Sequence, residues 1–235
     1  MFWKKAREMY GHVTSQDDDI KRYLEISSEF LENGYEGLVG YIQDIGHLWI
    51  ANKTQPGPVL EIGFGAGRHQ LFYKGNKKDY FISEYSGLHV NSDAWKDIRG
   101  RGLRCDACRL PYHSNIFKTV ISIYNLEHIS DLEHVFQEIH RVLMLKGRLL
   151  IALPCEGGLL WNIGRELTTR RNFQKQYGIN YDKVIAYEHV WDYGGVLEKL
   201  RISKLFKIEQ YKMFPFCIPN HHFNLIACIE CKAIN

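Results

Sequence analysis

A glycine-rich segment, Glu61-Ile62-Gly63-Phe64-Gly65-Ala66-Gly67, follows a short apolar run and could hold a small ligand against the backbone. Glycine is needed where a chain turns sharply or where a ligand comes too close for a Cβ atom. A dinucleotide fingerprint, G-x-G-x-x-G, would need glycine at position 68, which is Arg68. The acidic Glu61 suits an ammonium group and would be awkward beside a pyrophosphate, although it could also simply cap a turn.

Two more carboxylates follow predicted strands. Glu84 ends the second strand about twenty residues after Gly63, where an acidic side chain accepts hydrogen bonds from ribose hydroxyls in a Rossmann-like site. The alternative for Glu84 is a surface glutamate, which its position at a strand end disfavours. Asp106 follows the third strand, where a carboxylate can accept a hydrogen bond from an adenine amino group. Together these residues predict a nucleoside site.

A histidine, His128, lies just past the fourth predicted strand, where the active sites of open α/β sheets gather. Its side chain titrates near neutrality and can take a proton from an acceptor hydroxyl. We therefore predict His128 as the catalytic base; the alternative is a structural residue that hydrogen bonds behind the ligand. Glu188-His189 offers a second acid/base pair. No metal site is predicted.

The elements that must position these residues alternate along the chain. Predicted strands run from Val59 to Ile62, Tyr80 to Ser83, Leu103 to Asp106, Thr119 to Tyr124 and Arg148 to Leu153, followed by a pair from Phe206 to Tyr211 and from Phe223 to Lys232. Between them, apolar residues at helical spacing predict an amphipathic helix from Asp131 to Leu145, ended by Lys146-Gly147. Strands alternating with helices predict an α/β fold, Rossmann-like and doubly wound, with a mostly parallel sheet.

Two parts of the chain stand outside this alternation. Residues 1–55 are predicted to be a helical N-terminal extension, separated by a Pro/Gly breaker cluster from the main domain at 56–235. Residues 155–203 are rich in polar and aromatic residues and are predicted to be an insertion. We expect the extension and the insertion to form a lid over the site.

The composition is that of an ordinary globular domain. Of 235 residues, 45% are apolar and 24% charged, and the net charge is +3. Lys and Arg form only short clusters, such as Lys77-Lys78, which disfavours nucleic acid as a partner. No apolar run is long enough to span a membrane. Six cysteines without a secretion signal indicate a reduced, cytoplasmic protein.

Two cysteine pairs have metal-like spacing, Cys105-x-x-Cys108 and Cys228-x-x-Cys231. The second pair falls within a predicted strand, where residues three apart point to opposite faces of the sheet. That is poor geometry for zinc, so we interpret these cysteines as structural.

With these motifs in hand, the chain resembles the class I S-adenosylmethionine (SAM)-dependent methyltransferases, the large family that includes the ubiquinone/menaquinone biosynthesis methyltransferases (methyltransferase type 11). The resemblance covers about residues 57–154 and continues more loosely to the C-terminal strands. The segments that carry it are Val59 to Gly67, Cys105-Asp106-Ala107, Leu110-Pro111-Tyr112, Asn125 to Ile129, and Glu138 to Leu143 leading through Lys146-Gly147-Arg148 to Pro154.

The resemblance implies SAM as cofactor and a seven-stranded sheet with an antiparallel last strand. The glycines would lie against SAM, Glu61 near its amino-acid end, Glu84 at the ribose, Asp106 at the adenine, and Asn125 beneath the sulfonium. The complete implied cofactor set is Glu61, Gly63, Gly65, Gly67, Glu84, Tyr85, Asp106, Ala107, Asn125 and Leu126. The chain departs from the family in having Glu84 where Asp is frequent, and Lys118-Thr119 where many members have Phe-Asp.

The methyl acceptor is less constrained by the sequence. Arg165, Arg170 and Arg171 in the insertion suit a polar or anionic acceptor, although a basic helix facing solvent is an equal alternative. The stretches around Glu156 and Glu188-His189 look like bacterial methyltransferases of surface-polysaccharide pathways. The nucleic-acid signature, Asp or Asn before Pro-Pro, is absent after the fourth strand.

We therefore expect O-methylation of a small-molecule or sugar-derivative acceptor. The alternatives are an N-methyltransferase acting on a small molecule and a SAM-binding protein without catalysis. A nicotinamide-dependent oxidoreductase is disfavoured by Arg68. No feature of the sequence indicates an oligomeric state.

Overall fold

The computed structural model describes residues 9–33, 37–86 and 101–234, with the side chains of residues 28–39 left aside. Its strands are Val59–Ile62 (β1), Tyr80–Glu84 (β2), Gly102–Arg104 (β3), Phe117–Ile123 (β4), Leu143–Pro154 (β5), Phe206–Pro215 (β6) and Asn224–Ala233 (β7). They form one seven-stranded sheet in the order β3-β2-β1-β4-β5-β7-β6. The first five strands in this order pair in parallel, and β7 is antiparallel to both β5 and β6. The predicted fold class is confirmed.

The described helices are Asp18–Asn33 (α1), Gly37–Lys53 (α2), Leu132–Val142 (α3), Leu159–Leu167 (α4), Thr169–Tyr177 (α5), Tyr181–Glu188 (α6) and Tyr193–Ser203 (α7). Within the described ranges, none of them combines the length and the apolar character that crossing a membrane requires.

The sheet is covered on both faces, which explains the continuous apolar runs of its central strands. One face packs its apolar side chains with those of α3 and α7. The other face packs Ile121 and Leu150 against Trp49 and Ile50 of α2. Cys231 lies in the first of these cores and Cys228 in the second, so this pair points to opposite faces, as predicted.

A third core joins the N-terminal segment to the helices after β5. Ile20 and Tyr23 of α1 pack with Phe173 of α5 and Val184 of α6. The same contact is polar at its rim, where Lys183 lies 2.9 Å from Asp17. These helices therefore form a unit of their own beside the sheet, which we call the helical cap (α1 with α4–α6).

The last helix of the predicted insertion does not belong to the helical cap. In α7, Val196 and Leu200 are fully or almost fully buried in the core that also holds α3. This helix is the crossover between β5 and β6, so its apolar face is fixed by the sheet. The predicted insertion at 155–203 thus includes one helix of the main layer.

The predicted end of α3 is wrong. The helix stops at Val142, and Leu143 already pairs with Phe117 as the first residue of β5. Lys146 takes the left-handed conformation (φ +62°) that was expected of Gly147. Burial of Leu143 against the sheet outweighs the helical periodicity, because the side chain is only 2% exposed. Gly147 lies in a tight bend, where an added Cβ would be 2.8 Å from the Met144 carbonyl oxygen.

The glycine segment leads into short turns and not into a long helix. The first is a single 3-10 turn, Arg68–Leu71, followed by a second turn at Lys77–Asp79 that leads into β2. The guanidinium of Arg68 makes two hydrogen bonds with Asp44 of α2, at 2.9 and 2.6 Å. These hydrogen bonds therefore hold the end of the glycine loop against α2.

Candidate functional site

The glycine loop connects β1 to the 3-10 turn and has three residues in the left-handed region. Gly63, Gly65 and Gly67 have φ values of +72°, +55° and +79°. A Cβ atom at Gly63 would lie 2.1 Å from the side chain of Asn125, whereas a Cβ at Gly65 would meet no atom within 4 Å. Gly63 therefore allows the end of β4 to approach the loop, and Gly65 faces open space.

Glu84, at the end of β2, fixes the shape of this loop. Its carboxylate accepts hydrogen bonds from the backbone N–H of Gly65 at 2.8 Å and of Ser86 at 2.7 Å. The residue is only 7% exposed. An ionised carboxylate offers about four lone-pair sites, so Glu84 can still accept from a diol while it holds the loop.

Glu61 of β1 is buried, with 2% exposure, and its carboxylate accepts a hydrogen bond from the hydroxyl of Tyr80. Burial raises the pKa of Glu61 to about 8, an effect that the Tyr80 hydrogen bond opposes and the charge of Glu84 reinforces. A cation beside this carboxylate would lower its pKa again, which is the behaviour expected of a group that meets an ammonium.

The other predicted cofactor residues lie around the same edge. Asp106 is exposed, and its Oδ1 accepts from the backbone N–H of Cys108 at 2.8 Å. Ala107 is buried, and Tyr85 is 73% exposed. Leu126 has no exposed surface. The structure brings Gly63 next to Asn125 and Gly65 next to Glu84, while Tyr85 follows β2 and Asp106 follows β3.

His128 ends the 3-10 turn Leu126–His128 that follows Asn125. Its Nδ1 lies 3.0 Å from the carbonyl oxygen of Glu188 in α6. A carbonyl can only accept, so Nδ1 carries the proton and Nε2 keeps a lone pair. The side chain is 36% exposed. The surrounding protein and the nearby His189 lower the pKa of His128 below its ordinary value.

His189 stands edge-on to His128, with ring centroids 4.7 Å apart. Its Nδ1 hydrogen bonds to the carboxylate of Glu156, which follows β5. Although burial opposes the charged form, Glu156 and the neighbouring Glu127 and Glu188 raise the pKa of His189 to about 9. The sequence pattern suggested a Glu188-His189 pair, but the structure pairs His189 with Glu156.

Glu127 completes this group, which we call the acid/base cluster (Glu127, His128, Glu156, Glu188 and His189). It is 3% exposed, and burial raises the pKa of its carboxyl group. Its backbone carbonyl accepts hydrogen bonds from the N–H groups of Val190 and Trp191, at 2.8 and 3.1 Å. These bonds hold the segment that follows α6 against the turn that follows β4.

Sequence reasoning missed Glu127 and Glu156 as partners of the histidines. Their one available signal is position, since Glu127 follows β4 and Glu156 follows β5 at the carboxyl edge of the sheet. Their convergence on His189 depends on the path of α6, which no local motif reveals.

Two of the three predicted arginines of the insertion, Arg165 and Arg170, are paired within the helical cap, and the third, Arg171, is exposed. Asp182 is 2% exposed, and its carboxylate lies 2.6 Å from Nη2 of Arg170 and 3.7 Å from Nη2 of Arg165. Arg170 also pairs with Glu166. These two guanidinium groups therefore stabilise the helical cap, and their charge is largely neutralised there.

Comparison with known proteins finds a methyltransferase domain in the part of the chain that contains the glycine loop. Residues 60–151 match the family model described as a methyltransferase domain. No curated protein matches the sequence at a significant level. A SAM-dependent methyltransferase from Thermotoga maritima, described as a possible histamine N-methyltransferase, is similar with a TM-score of 0.58 at 17% identity, covering 91% of this chain and 99% of that chain.

Two further structures share the fold. A SAM-dependent methyltransferase from Aquifex aeolicus has a TM-score of 0.57 at 11% identity, over 88% of this chain and 98% of its own. The [4+2]-cyclase SpnF has a TM-score of 0.56 at 16% identity, over 85% of this chain and 84% of its own.

The strand order and the antiparallel β7 define the class I methyltransferase fold. The match across β1 to β5 shows that residues 60–151 form a methyltransferase domain, the domain implies SAM as its cofactor, and the chain as a whole shares the class I fold.

Proposed function

We propose that the chain transfers the methyl group of SAM to a hydroxyl of a small polar acceptor, with His128 as the catalytic base. The observation that carries the proposal is the turn after β4. Asn125 in that turn packs against Gly63 of the cofactor loop, and His128 follows three positions later with Nε2 as its lone-pair nitrogen. A proton acceptor thus stands next to the cofactor loop.

The chain's own residues have three tasks in this reaction. SAM supplies an activated methyl group when bound, so the protein must align the acceptor, exclude water and remove one proton. Glu84 would bind the ribose hydroxyls, and Glu61 the ammonium group. Asp106, with Ala107 and Tyr85 beside it, would border the adenine, and the backbone of Asn125 and Leu126 would pass beneath the sulfonium.

The charges around His128 favour a neutral, hydroxyl-rich acceptor over an anionic one. Glu127, Glu156 and Glu188 surround the histidines and can accept hydrogen bonds from hydroxyls. Two of the three arginines that could have bound an anion, Arg165 and Arg170, pair with Asp182. We propose a sugar derivative, in the context of surface-polysaccharide synthesis, as the acceptor class.

The helical cap and the cellular setting complete the proposal. The helical cap (α1 with α4–α6) would form a lid, because His189 directly follows α6 and α1 packs on α6. All six cysteines are unpaired, in keeping with a reducing cytoplasm.

The first test is calorimetric titration of SAM, S-adenosylhomocysteine and NAD(H) into the full chain. We expect SAM and S-adenosylhomocysteine to bind and NAD(H) not to bind. Glu84→Ala should abolish or strongly weaken the binding, since it removes the acceptor of both loop N–H groups and of the ribose. Tight NAD(H) binding would contradict the assignment of the loop.

The second test uses labelled SAM with neutral sugars, amines and anionic sugars, followed by single-turnover kinetics on the acceptor found. His128→Ala should slow the chemical step by about 10²–10⁴-fold. The matched control is His134→Ala, an exposed histidine paired with Asp131. An unchanged rate in His128→Ala would refute the base assignment.

Methylation of amines alone would favour N-methyl transfer, and no turnover with SAM bound would favour a non-catalytic role.

A further inference from the structure

Three side chains of the acid/base cluster meet in a way that base catalysis alone does not require. One ligand atom each from Glu127, His128 and His189 lies within 4.8 Å of the other two. Two imidazoles and a carboxylate are the protein ligands of many catalytic zinc sites, which keep a further position open. Ligand atoms on a tetrahedral zinc ion are roughly 3.4 Å apart, so modest side-chain rotations would bring these three atoms onto one ion.

The hydrogen bonds behind both histidines are those of metal ligands. Nδ1 of His128 donates to the backbone carbonyl of Glu188, and Nδ1 of His189 bonds to the carboxylate of Glu156. A metal-bound histidine almost always donates its other ring N–H to a carbonyl or a carboxylate, which fixes the ring and its tautomer. Nε2 is thereby the nitrogen that each ring would offer to an ion.

A third observation is the carboxylate of Glu127. The residue is 3% exposed, yet its Oε2 has no hydrogen-bond partner among the described residues. A buried carboxylate oxygen without a donor is costly, and a cation between Glu127 and the two imidazoles would satisfy it. Access remains through His128, whose side chain is 36% exposed.

We propose that Glu127, His128 and His189 form a binding site for one divalent transition-metal ion, best suited to Zn²⁺, with Glu156 and the Glu188 carbonyl as the groups that orient the histidines. This inference goes beyond the proposed function. Because Nε2 of His128 can hold either a proton or a metal ion, ion binding and proton acceptance exclude each other, and an ion at this site inhibits the proposed reaction.

The test measures the ion alone, without SAM or acceptor. The full chain is treated with a chelator and titrated with Zn²⁺ by calorimetry and with Co²⁺ by visible absorption. We expect one equivalent of either ion and a Co²⁺ spectrum of nitrogen and oxygen ligands without a thiolate charge-transfer band. Glu156→Gln should weaken binding about 10–100-fold, as changes to the groups that orient metal ligands do, and Glu127→Gln by more. The control His134→Gln should bind as the parent chain does.

Four results would overturn the proposal: no binding at one equivalent, a thiolate band, full affinity in Glu127→Gln, or loss of binding in His134→Gln. Each variant is checked by S-adenosylhomocysteine binding, which reports folding and does not involve the ion. A chain that binds S-adenosylhomocysteine but no ion refutes the ion site and leaves the proposed function standing. A chain that binds the ion but not S-adenosylhomocysteine refutes the proposed function instead.

Discussion

Two regions of this molecule are built in different ways: the glycine loop, proposed to hold the cofactor (the cofactor side), and the acid/base cluster, proposed to meet the acceptor (the acceptor side). On the cofactor side, the loop after β1 is held to the end of the neighbouring parallel strand β2, where the Glu84 carboxylate accepts a hydrogen bond from the backbone N–H of Gly65. On the acceptor side, His128 and His189 come from segments sixty-one positions apart (189 − 128) and interact through side chains that belong to separate units. The first region is fixed by backbone conformation, and the second by how the helical cap sits on the sheet.

The two regions also differ in how their carboxylates are satisfied. Both oxygens of Glu84 accept backbone N–H groups. Glu127 is buried to a similar degree but keeps one oxygen without a described partner. A satisfied carboxylate holds a loop rigid, whereas an unsatisfied one next to two imidazoles is suited to exchange a proton or an ion.

We expect the largest effect from a substitution that tests whether left-handed backbone conformations fix the shape of the cofactor side. Alanine at either Gly63 or Gly65 carries the left-handed penalty of about 1–2 kcal/mol. Gly63→Ala must also displace Asn125, which adds about 1–3 kcal/mol. We therefore expect Gly63→Ala to lower the free energy of unfolding much more than Gly65→Ala, measured by urea denaturation.

The two variants should separate again in ligand binding. Gly65→Ala places its methyl group in open space where the cofactor would lie, so it should remain folded and lose S-adenosylhomocysteine affinity. Equal stability of the two variants would show that Asn125 does not pack on the loop as described.

A smaller effect is expected from Asp182→Asn in the helical cap. This change removes the charge that faces Arg165 and Arg170 while it preserves the size of the side chain. Breaking a buried ion pair costs about 3–5 kcal/mol, but Arg170 keeps Glu166 and partial exposure, so we expect about 2 kcal/mol. Hydrogen exchange should accelerate in α4–α6 and α1, with S-adenosylhomocysteine affinity unchanged.

The matched control for that variant is Asp18→Asn. Asp18 is 97% exposed and pairs with Lys21 at 3.6 Å on the same cap. Exposed pairs contribute about 0–1 kcal/mol, so exchange should stay at the parent rate. A loss of cofactor affinity in Asp182→Asn would show that the two regions are coupled more tightly than their separate cores suggest.

The same contrast explains what could be predicted from the sequence. Strand β1 was predicted at its observed bounds, and the glycine segment was predicted to be a place where the chain turns sharply or meets a ligand. Its three glycines have left-handed φ values, which fit a sharp turn. The end of α3 was predicted wrongly because the pairing of Leu143 with Phe117 is a tertiary effect.

The acceptor side could be predicted only in part. His128 was found from its position after a strand, and Glu188-His189 from composition. The partner of His189 is Glu156, thirty-three positions earlier in the chain, and only the packing of α6 on the turn after β4 brings them together. Arg165 and Arg170 invited an anion-binding interpretation because the buried Asp182 that they meet has no recognisable signature.

The smallest effect concerns a second histidine pair, buried behind the glycine loop. His69 stacks on His47 of α2 at 5.6 Å and lies 6.5 Å from the rings of Tyr73 and Tyr80. Burial, with the charge of His47, lowers the pKa of His69 to about 3, so this ring stays neutral in the folded chain. Unlike that of His189, its ring hydrogen bonds to no carboxylate among the described residues.

This neutral ring should make stability depend on pH. Unfolding restores the ordinary pKa near 6.5, so the unfolded chain binds a proton below that value while the folded chain does not. Stability is therefore retained above pH 6.5 and falls as the pH drops toward 3, by about 1 kcal/mol between pH 6.5 and 5.5 for this residue. His69→Phe should remove that share of the slope in urea denaturation series, and the exposed control His134→Phe should not. An unchanged slope in His69→Phe would mean that His69 takes up a proton within the fold, and the contrast between the two histidine pairs would then be lost.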